Sequence, residues 1–224
     1  MLGPHQLKQI TPRTPRHLRY QENMSAVFRA MSAYFSRDNV ALPGVALFFK
    51  VYSQIEINDI WFFVEFLTKR GQHPQIGAHA APPKDFHRTD CSDVLYCFEK
   101  ALALVKCQYT KCGMLYKTAA DKGDALAVGF STYLIDAVSI KLKQLAHYVA
   151  HLKVVENDKH AIKEFDRRLP YEIEDLAKST GAEAVIPSRL MIDCVKRSVK
   201  TETALMNPEC FDDIKSRRVF NRVI

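Results

Sequence analysis

The chain has 224 residues, 47% of them hydrophobic, and a net charge of +7 at pH 7. That length can bury one sizeable core, with or without a small appendage. Eight glycines and few alternating apolar–polar runs argue against an all-β chain. The six cysteines, Cys91, Cys97, Cys107, Cys112, Cys194 and Cys210, form no CxxC pair, so zinc-ribbon spacing is absent. No secretory leader opens the chain, and reduced thiols in an intracellular compartment are expected. No apolar run is read as reaching the roughly 20 residues that span a bilayer, so no membrane association is expected. The positive charge is assigned to solvated helix faces rich in Lys and Arg, because net charge speaks to association rather than to fold.

In chain order, residues 1–13 read as a basic arm. The first twenty positions hold Lys8, Arg13, Arg16 and Arg19 and no acidic residue. Such a composition also fits a mitochondrial presequence, but cleavage near Tyr20 would cut into the first helix, so a cytoplasmic protein is expected. Thr14-Pro15 supplies an N-cap and a first-turn proline, and a helix is predicted from Pro15 to Phe35 with Leu18, Met24, Val27, Phe28 and Met31 at helical spacing. Asn23-Met24-Ser25 matches a glycosylation sequon but falls inside that helix. The second helix is predicted from Pro43, whose missing N–H suits a first turn, to Arg70, with Gly71 as its stop. Such a helix would be roughly 40 Å long.

Gln72 to Asp90 holds Pro74, Pro82, Pro83, Gly77 and three histidines and reads as a long crossover rather than an interdomain linker. A third helix, capped by Asp90 or Ser92, runs to about Lys117. Asp121 to Asp124 forms a turn with Gly123 as helix stop, and a fourth helix covers Ala125 to Val154. Beyond it, Leu169-Pro170 and Ser179–Gly181 bracket a short helix, and amphipathic pieces are predicted at Ser188–Lys200 and Glu209–Phe220.

The sequence AMSAYFSRDNVAL, Ala30 to Leu42, followed one helix later by LTKRG, resembles the junction of the first two long helices of ferritin heavy and light chains. FEKALAL, Phe98 to Leu104, and TAADKGDALAVGFSTYL, Thr118 to Leu134, resemble the junction of the third and fourth. The resemblance covers roughly Thr14 to Val154. It implies an all-α, ferritin-like four-helix bundle at 14–156, with a long crossover between helices 2 and 3. A C-terminal helical extension follows at 157–224, with a possible fifth-helix remnant at 161–169.

In ferritins that oxidise iron, inward carboxylates and a histidine hold the metal, because iron favours oxygen and imidazole ligands. Carried over one position at a time, the first-helix glutamate falls on Gln21 and the neighbouring tyrosine on Phe28. The second-helix E-x-x-H pair becomes Glu56 and Asp59. The third-helix glutamate falls on Val105, and the fourth-helix glutamine on Ala137 or Val138. The mineral-nucleating face of the second helix carries Ile55, Asn58 and Trp61. Positions matching the cation entry channel lie near Val128 and Ser131. Apolar residues at these places neither bind nor funnel cations, so the resemblance leads to an expectation of lost ferroxidase ligands, no enzyme activity and no cofactor. Only weak vestigial iron binding at Glu56 and Asp59 is left open; the competing reading of that pair is a solvated or Lys-paired helix face. His147 and His151 are read as surface residues, and Cys107 and Cys112 as buried inert thiols.

Ile57, Ile60, Trp61, Phe62, Phe63, Val64, Phe66 and Leu67 leave the second helix apolar nearly all round. Trp61, Phe62, Phe63 and Phe66 are therefore candidates for contact with a neighbouring subunit, the extension or a partner protein. The expected function is a structural or interaction subunit of the ferritin family, at most indirectly linked to iron, whose partners are itself, ferritin-type subunits or a larger assembly. A ferritin-like chaperone or adaptor is the alternative. Residual iron oxidation, and nucleic-acid binding through Lys196, Arg197, Lys200, Arg217 and Arg218, are lesser readings.

Overall fold

The computed structural model describes residues 14–74, 80–155 and 158–179. These fall within the first of two units, Met1–Val185. The second, Ile186–Ile224, lies outside the described residues, together with the basic arm, Cys194, Cys210, both amphipathic pieces and the basic cluster from Lys196 to Arg218.

Five helices follow in order: α1 Thr14–Phe35, α2 Pro43–Thr68, α3 Asp93–Asp121, α4 Ala125–Val155 and α5 Lys159–Ser179. The first four form the bundle. Antiparallel α1 and α2 pack as one pair and α3 and α4 as the other, the arrangement that a short turn within each pair and a long crossover between pairs dictates. Gly71 (φ 69°) and Gly123 (φ 64°) take the left-handed conformation that ends α2 and α3. The crossover is pinned to α1 along its second half and at the start of α3. The Ala80 N–H donates to Asn23 Oδ1 at 2.9 Å, while Arg37 donates to the Lys84 carbonyl at 3.0 Å, and Tyr34 Oη–H reaches Asp93 Oδ2 at 2.7 Å.

The core divides along the bundle axis. At one end Phe28, Phe48, Phe49, Tyr52, Phe98 and Tyr148 interlock, with Phe48 and Tyr52 stacked at 4.3 Å; aromatic pairs of this kind add about 1 kcal/mol beyond their burial. At the other end Phe66 stacks on Phe130 at 3.9 Å. Between them lies a buried polar layer. By length and composition α4 is apolar enough to cross a membrane, unlike the expectation for any segment of this chain. Here its apolar row, Phe130, Leu134, Val138, Leu145 and Leu152, is buried in the bundle, and Lys141 is buried along with it.

The break expected at Leu169-Pro170 does not occur, and the anticipated remnant at 161–169 is part of a helix running from 159 to 179. Pro170 lies inside α5. Proline removes the N–H that would bond the carbonyl four residues back, that of Asp166. Burial of Phe165, Leu169 and Ile173 on one face of α5 offsets the loss, and the Asp166 carbonyl lies against α2. A Cβ at Gly44 would sit 1.9 Å from that oxygen, so only glycine fits there.

The same residue caps α2 from outside. Leu42, at the N-cap, gives no side-chain hydrogen bond, and Asp166 Oδ1 instead accepts the Val45 N–H at 2.7 Å, with a second bond from the Gly44 N–H. Burial raises the Asp166 carboxyl to about 6 against those two bonds. A raised folded value means that its stabilising contribution is complete below the ordinary value of 3.8 and is lost as pH rises through about 6. Wild-type stability is therefore expected to fall by about 2 kcal/mol between pH 4 and pH 7 relative to Asp166→Asn, measured by urea unfolding at each pH. Parallel pH profiles for the two proteins would disprove this assignment.

Candidate functional site

The polar layer is built by three helices. Glu56 and Asp59 stand one turn apart on α2, so their carboxylates share a face. Lys141, from α4, is 1% exposed, and its Nζ donates to Glu56 Oε1 at 2.7 Å and to Asp59 Oδ2 at 2.9 Å. Gln108, from α3, donates through Nε2 to the second Glu56 oxygen at 2.8 Å. Both Glu56 oxygens are thus satisfied. Burial alone would lower the Lys141 pKa, but the charges of Asp59 and Glu56 and their hydrogen bonds outweigh it and hold the ammonium charged. Burial pushes the Glu56 carboxyl above the ordinary glutamate range against the pull of Lys141, with Asp59 adding to the push. The solvated reading of the Glu56–Asp59 pair is thereby corrected: Glu56 is fully buried, and the lysine that pairs with it comes from another helix. Chemically, two carboxylates hold one tethered cation, and a metal ion would compete with Lys141 Nζ for the same oxygens.

On α1, His17 and Gln21 lie one turn apart and are buried, 4% and 1% exposed. The His17 ring stacks on Phe63 at 5.1 Å, and neither of its nitrogens has a hydrogen-bond partner. Burial, with the charges of Lys111 and Lys141, lowers its pKa to about 4, so it is neutral at pH 7. Gln21 Oε1 and Gln108 Oε1 are likewise buried without a partner.

Of the other positions singled out in the sequence, Phe28 stacks on Phe49 at 6.1 Å and meets Tyr52 edge-on, and Val105 and Val138 are core. Ile55 is buried, and Asn58 accepts from Gln54 at 3.4 Å. Ser131 is buried and donates to the Ala127 carbonyl at 2.7 Å. His147 and His151 are exposed, and the His151 ring lies on Phe165 at 5.8 Å. Among the described residues no three His, Cys, Asp or Glu side chains form a metal-binding group. Cys112 is buried, its thiol pushed up to about 12 by burial, but Cys107 is exposed, contrary to the expectation of two buried thiols.

The aromatic candidates on α2 separate. Trp61 is 60% and Phe62 42% exposed, and they border a groove with Asn58, Val64, Glu65 and Thr68. Phe63 is withdrawn as a partner contact: it is 1% exposed, sandwiched by His17 and Phe130. Phe66 is half-buried on Phe130. His17, Gln108 and Lys141 were not anticipated. The signal for Lys141 was a charged residue interrupting the apolar spacing of the fourth helix between Val138 and Leu145.

A ferritin-like domain family model matches residues 16–155. The chain is 37% identical over 149 residues to "Ferritin-1, chloroplastic" of Nicotiana tabacum, covering 66% of this chain and 59% of the relative. It is 33% identical over 152 residues to "Ferritin-2, chloroplastic" of Glycine max, covering 67% and 58%. The chain thus spans about three fifths of the length of these relatives. The solved ferritin of the multicellular green alga Ulva pertusa superposes with a TM-score of 0.69 at 30% identity, covering 71% of this chain and 82% of that one. These relatives overturn two expectations. A chain this close to proteins named as ferritins is not set apart as a non-enzyme by replaced positions alone, and relatives named as chloroplastic contradict a cytoplasmic assignment. With the bundle, the family match and these relatives in agreement, the chain belongs to the ferritin family.

Proposed function

We propose that this chain is an iron-storing ferritin subunit of a plastid, assembling with copies of itself or with other ferritin-type subunits. Glu56 and Asp59 meet the iron, and Lys141 is the resident cation that iron must displace. The observation carrying this reading is the placement of Lys141 Nζ within 2.9 Å of both carboxylates in the bundle interior, at the two positions where the family resemblance puts metal ligands. Iron is the cargo, and no resident cofactor is needed. The plastid follows from relatives named as chloroplastic.

The test is aerobic addition of Fe(II) to the purified full chain, followed by size exclusion with iron measured in each fraction. Iron is expected to elute with a particle many times the 25.6 kDa chain mass. Uptake should be slower in Glu56→Gln and faster in Lys141→Gln, since the first removes a ligand charge and the second the competing cation. Iron confined to low-mass fractions would overturn the reading. A large particle without iron would favour the second reading, an interaction or adaptor subunit using the exposed Trp61 and Phe62.

A further inference from the structure

Away from the polar layer, a cavity of about 580 Å³ lies where the α1–α2 turn, the end of the crossover and the first turns of α3 and α5 meet. Its α2 edge is nearly four helical turns from Glu56, roughly 20 Å along the axis. The polar groups around it are unevenly matched. Both carboxylates are already engaged. Asp93 accepts from Tyr34 Oη–H at 2.7 Å and from the Arg88 N–H at 2.8 Å, and faces His87 Nδ1 at 3.3 Å. Asp85 accepts the Phe86 N–H at 2.9 Å and pairs with Arg37 at 3.6 Å. The donors are not so engaged. Lys159 has no hydrogen bond or ion pair among the described residues, and Ser92, the N-cap of α3, makes no side-chain capping bond. Arg37 lies over the Tyr34 ring at 4.8 Å and donates to the Lys84 carbonyl, which leaves further N–H groups of its guanidinium fork unused. Leu42, Val94 and Ile162 add an apolar wall.

A cavity whose acceptors are satisfied while its cationic donors stay open suits an anion. We propose that it binds a small organic phosphate monoester, its phosphate held by Arg37, Lys159 and the Ser92 hydroxyl and its organic group set against Leu42, Val94 and Ile162. A guanidinium fork and an ammonium together match a tetrahedral dianion, and the volume leaves room for an organic group beside the phosphate. Because Lys159 opens α5 and Arg37 follows α1, an occupied site ties α5 to the bundle. The assignment is independent of iron uptake at Glu56 and Asp59.

The test is calorimetry on the full chain with phenyl phosphate, inorganic phosphate and phenol at constant ionic strength. One saturable phenyl phosphate site per chain is expected, with weaker binding of either fragment and a melting temperature that rises with phenyl phosphate concentration. Lys159→Met keeps the side-chain stem and breaks no hydrogen bond of the fold, and should weaken phenyl phosphate binding roughly tenfold or more. Ile162→Glu, which sets a carboxylate on the apolar wall, should weaken it at least as much. Lys143→Met removes an exposed lysine of α4 that does not line the cavity and should leave the affinity unchanged. No saturable binding, or equal affinity in Lys159→Met and Lys143→Met, would overturn the proposal. Inorganic phosphate binding as tightly as phenyl phosphate would overturn the organic-ligand assignment.

Discussion

Lys141→Met is expected to destabilise the protein by roughly 3–5 kcal/mol at pH 7 in the presence of a chelator, because it leaves the buried Glu56 carboxylate, and the half-buried Asp59 one turn away on the same face of α2, without a counter-charge. Methionine fills the lysine stem, so the loss reports charge rather than volume. Two further results separate this from ordinary core damage. A divalent ion bound by the folded state alone should raise the melting temperature of the variant progressively with concentration, while the wild type, with Nζ already within 2.9 Å of both carboxylates, should respond far less. Adding Glu56→Gln should recover part of the lost stability, since the unpaired buried charge disappears. Equal metal responses in variant and wild type would sink the view of Lys141 as a built-in cation.

Arg70→Ala should be comparably costly, on the order of 3–5 kcal/mol, for a different part of the fold. Arg70 grips Asp124 with both guanidinium nitrogens, Nη1 to Oδ1 at 3.1 Å and Nη2 to Oδ2, and both side chains are only 7% exposed. Asp124 has a second task as cap of α4, accepting the Ala127 N–H at 3.0 Å. Removing the arginine strands a buried carboxylate at the junction of α3 and α4, whereas Asp124→Asn keeps a cap and an acceptor and should cost less. Burial works to raise the Asp124 carboxyl, but bonds from Arg70 and Ala127 prevail and hold it below the ordinary aspartate value. Its contribution is therefore present above that value and lost as pH falls through the lower, folded one. Chemical unfolding of wild type and Arg70→Ala from pH 7 to pH 3 should show the gap narrowing in acid.

The helices were legible because proline and glycine punctuate them. Pro43 opens α2, and Gly71 and Gly123 take the positive φ that ends α2 and α3. Pro170 misled because the same rule was applied where burial of Phe165, Leu169 and Ile173 overrides it. The centre was harder to read, since the positions that match family ligands on α3 and α4 carry apolar side chains. Val105 and Ala137 or Val138 are indeed apolar, yet one turn away Gln108 and Lys141 reach the same carboxylate from α3 and α4. A lysine stem spans more than a helical turn, so a point-by-point comparison overlooks it. Nothing in the periodicity distinguished His17 from an ordinary first-turn residue, because its burial depends on Phe63 from another helix. Phe63 and Trp61 looked equivalent in an all-round apolar helix, and only the placement of α1 and α4 separated core from surface.

That separation has an optical consequence. The chain has a single tryptophan, and it is Trp61, 60% exposed beside Phe62 on α2. Its indole emission therefore comes from one address on the molecule, a water-facing spot two residues from Asp59. Whatever covers that face shifts the colour of the whole protein's fluorescence towards the blue, and any paramagnetic ion gathering near the carboxylates dims it. The sequence has thus placed a native optical probe at the border between the polar interior and the outside of the bundle.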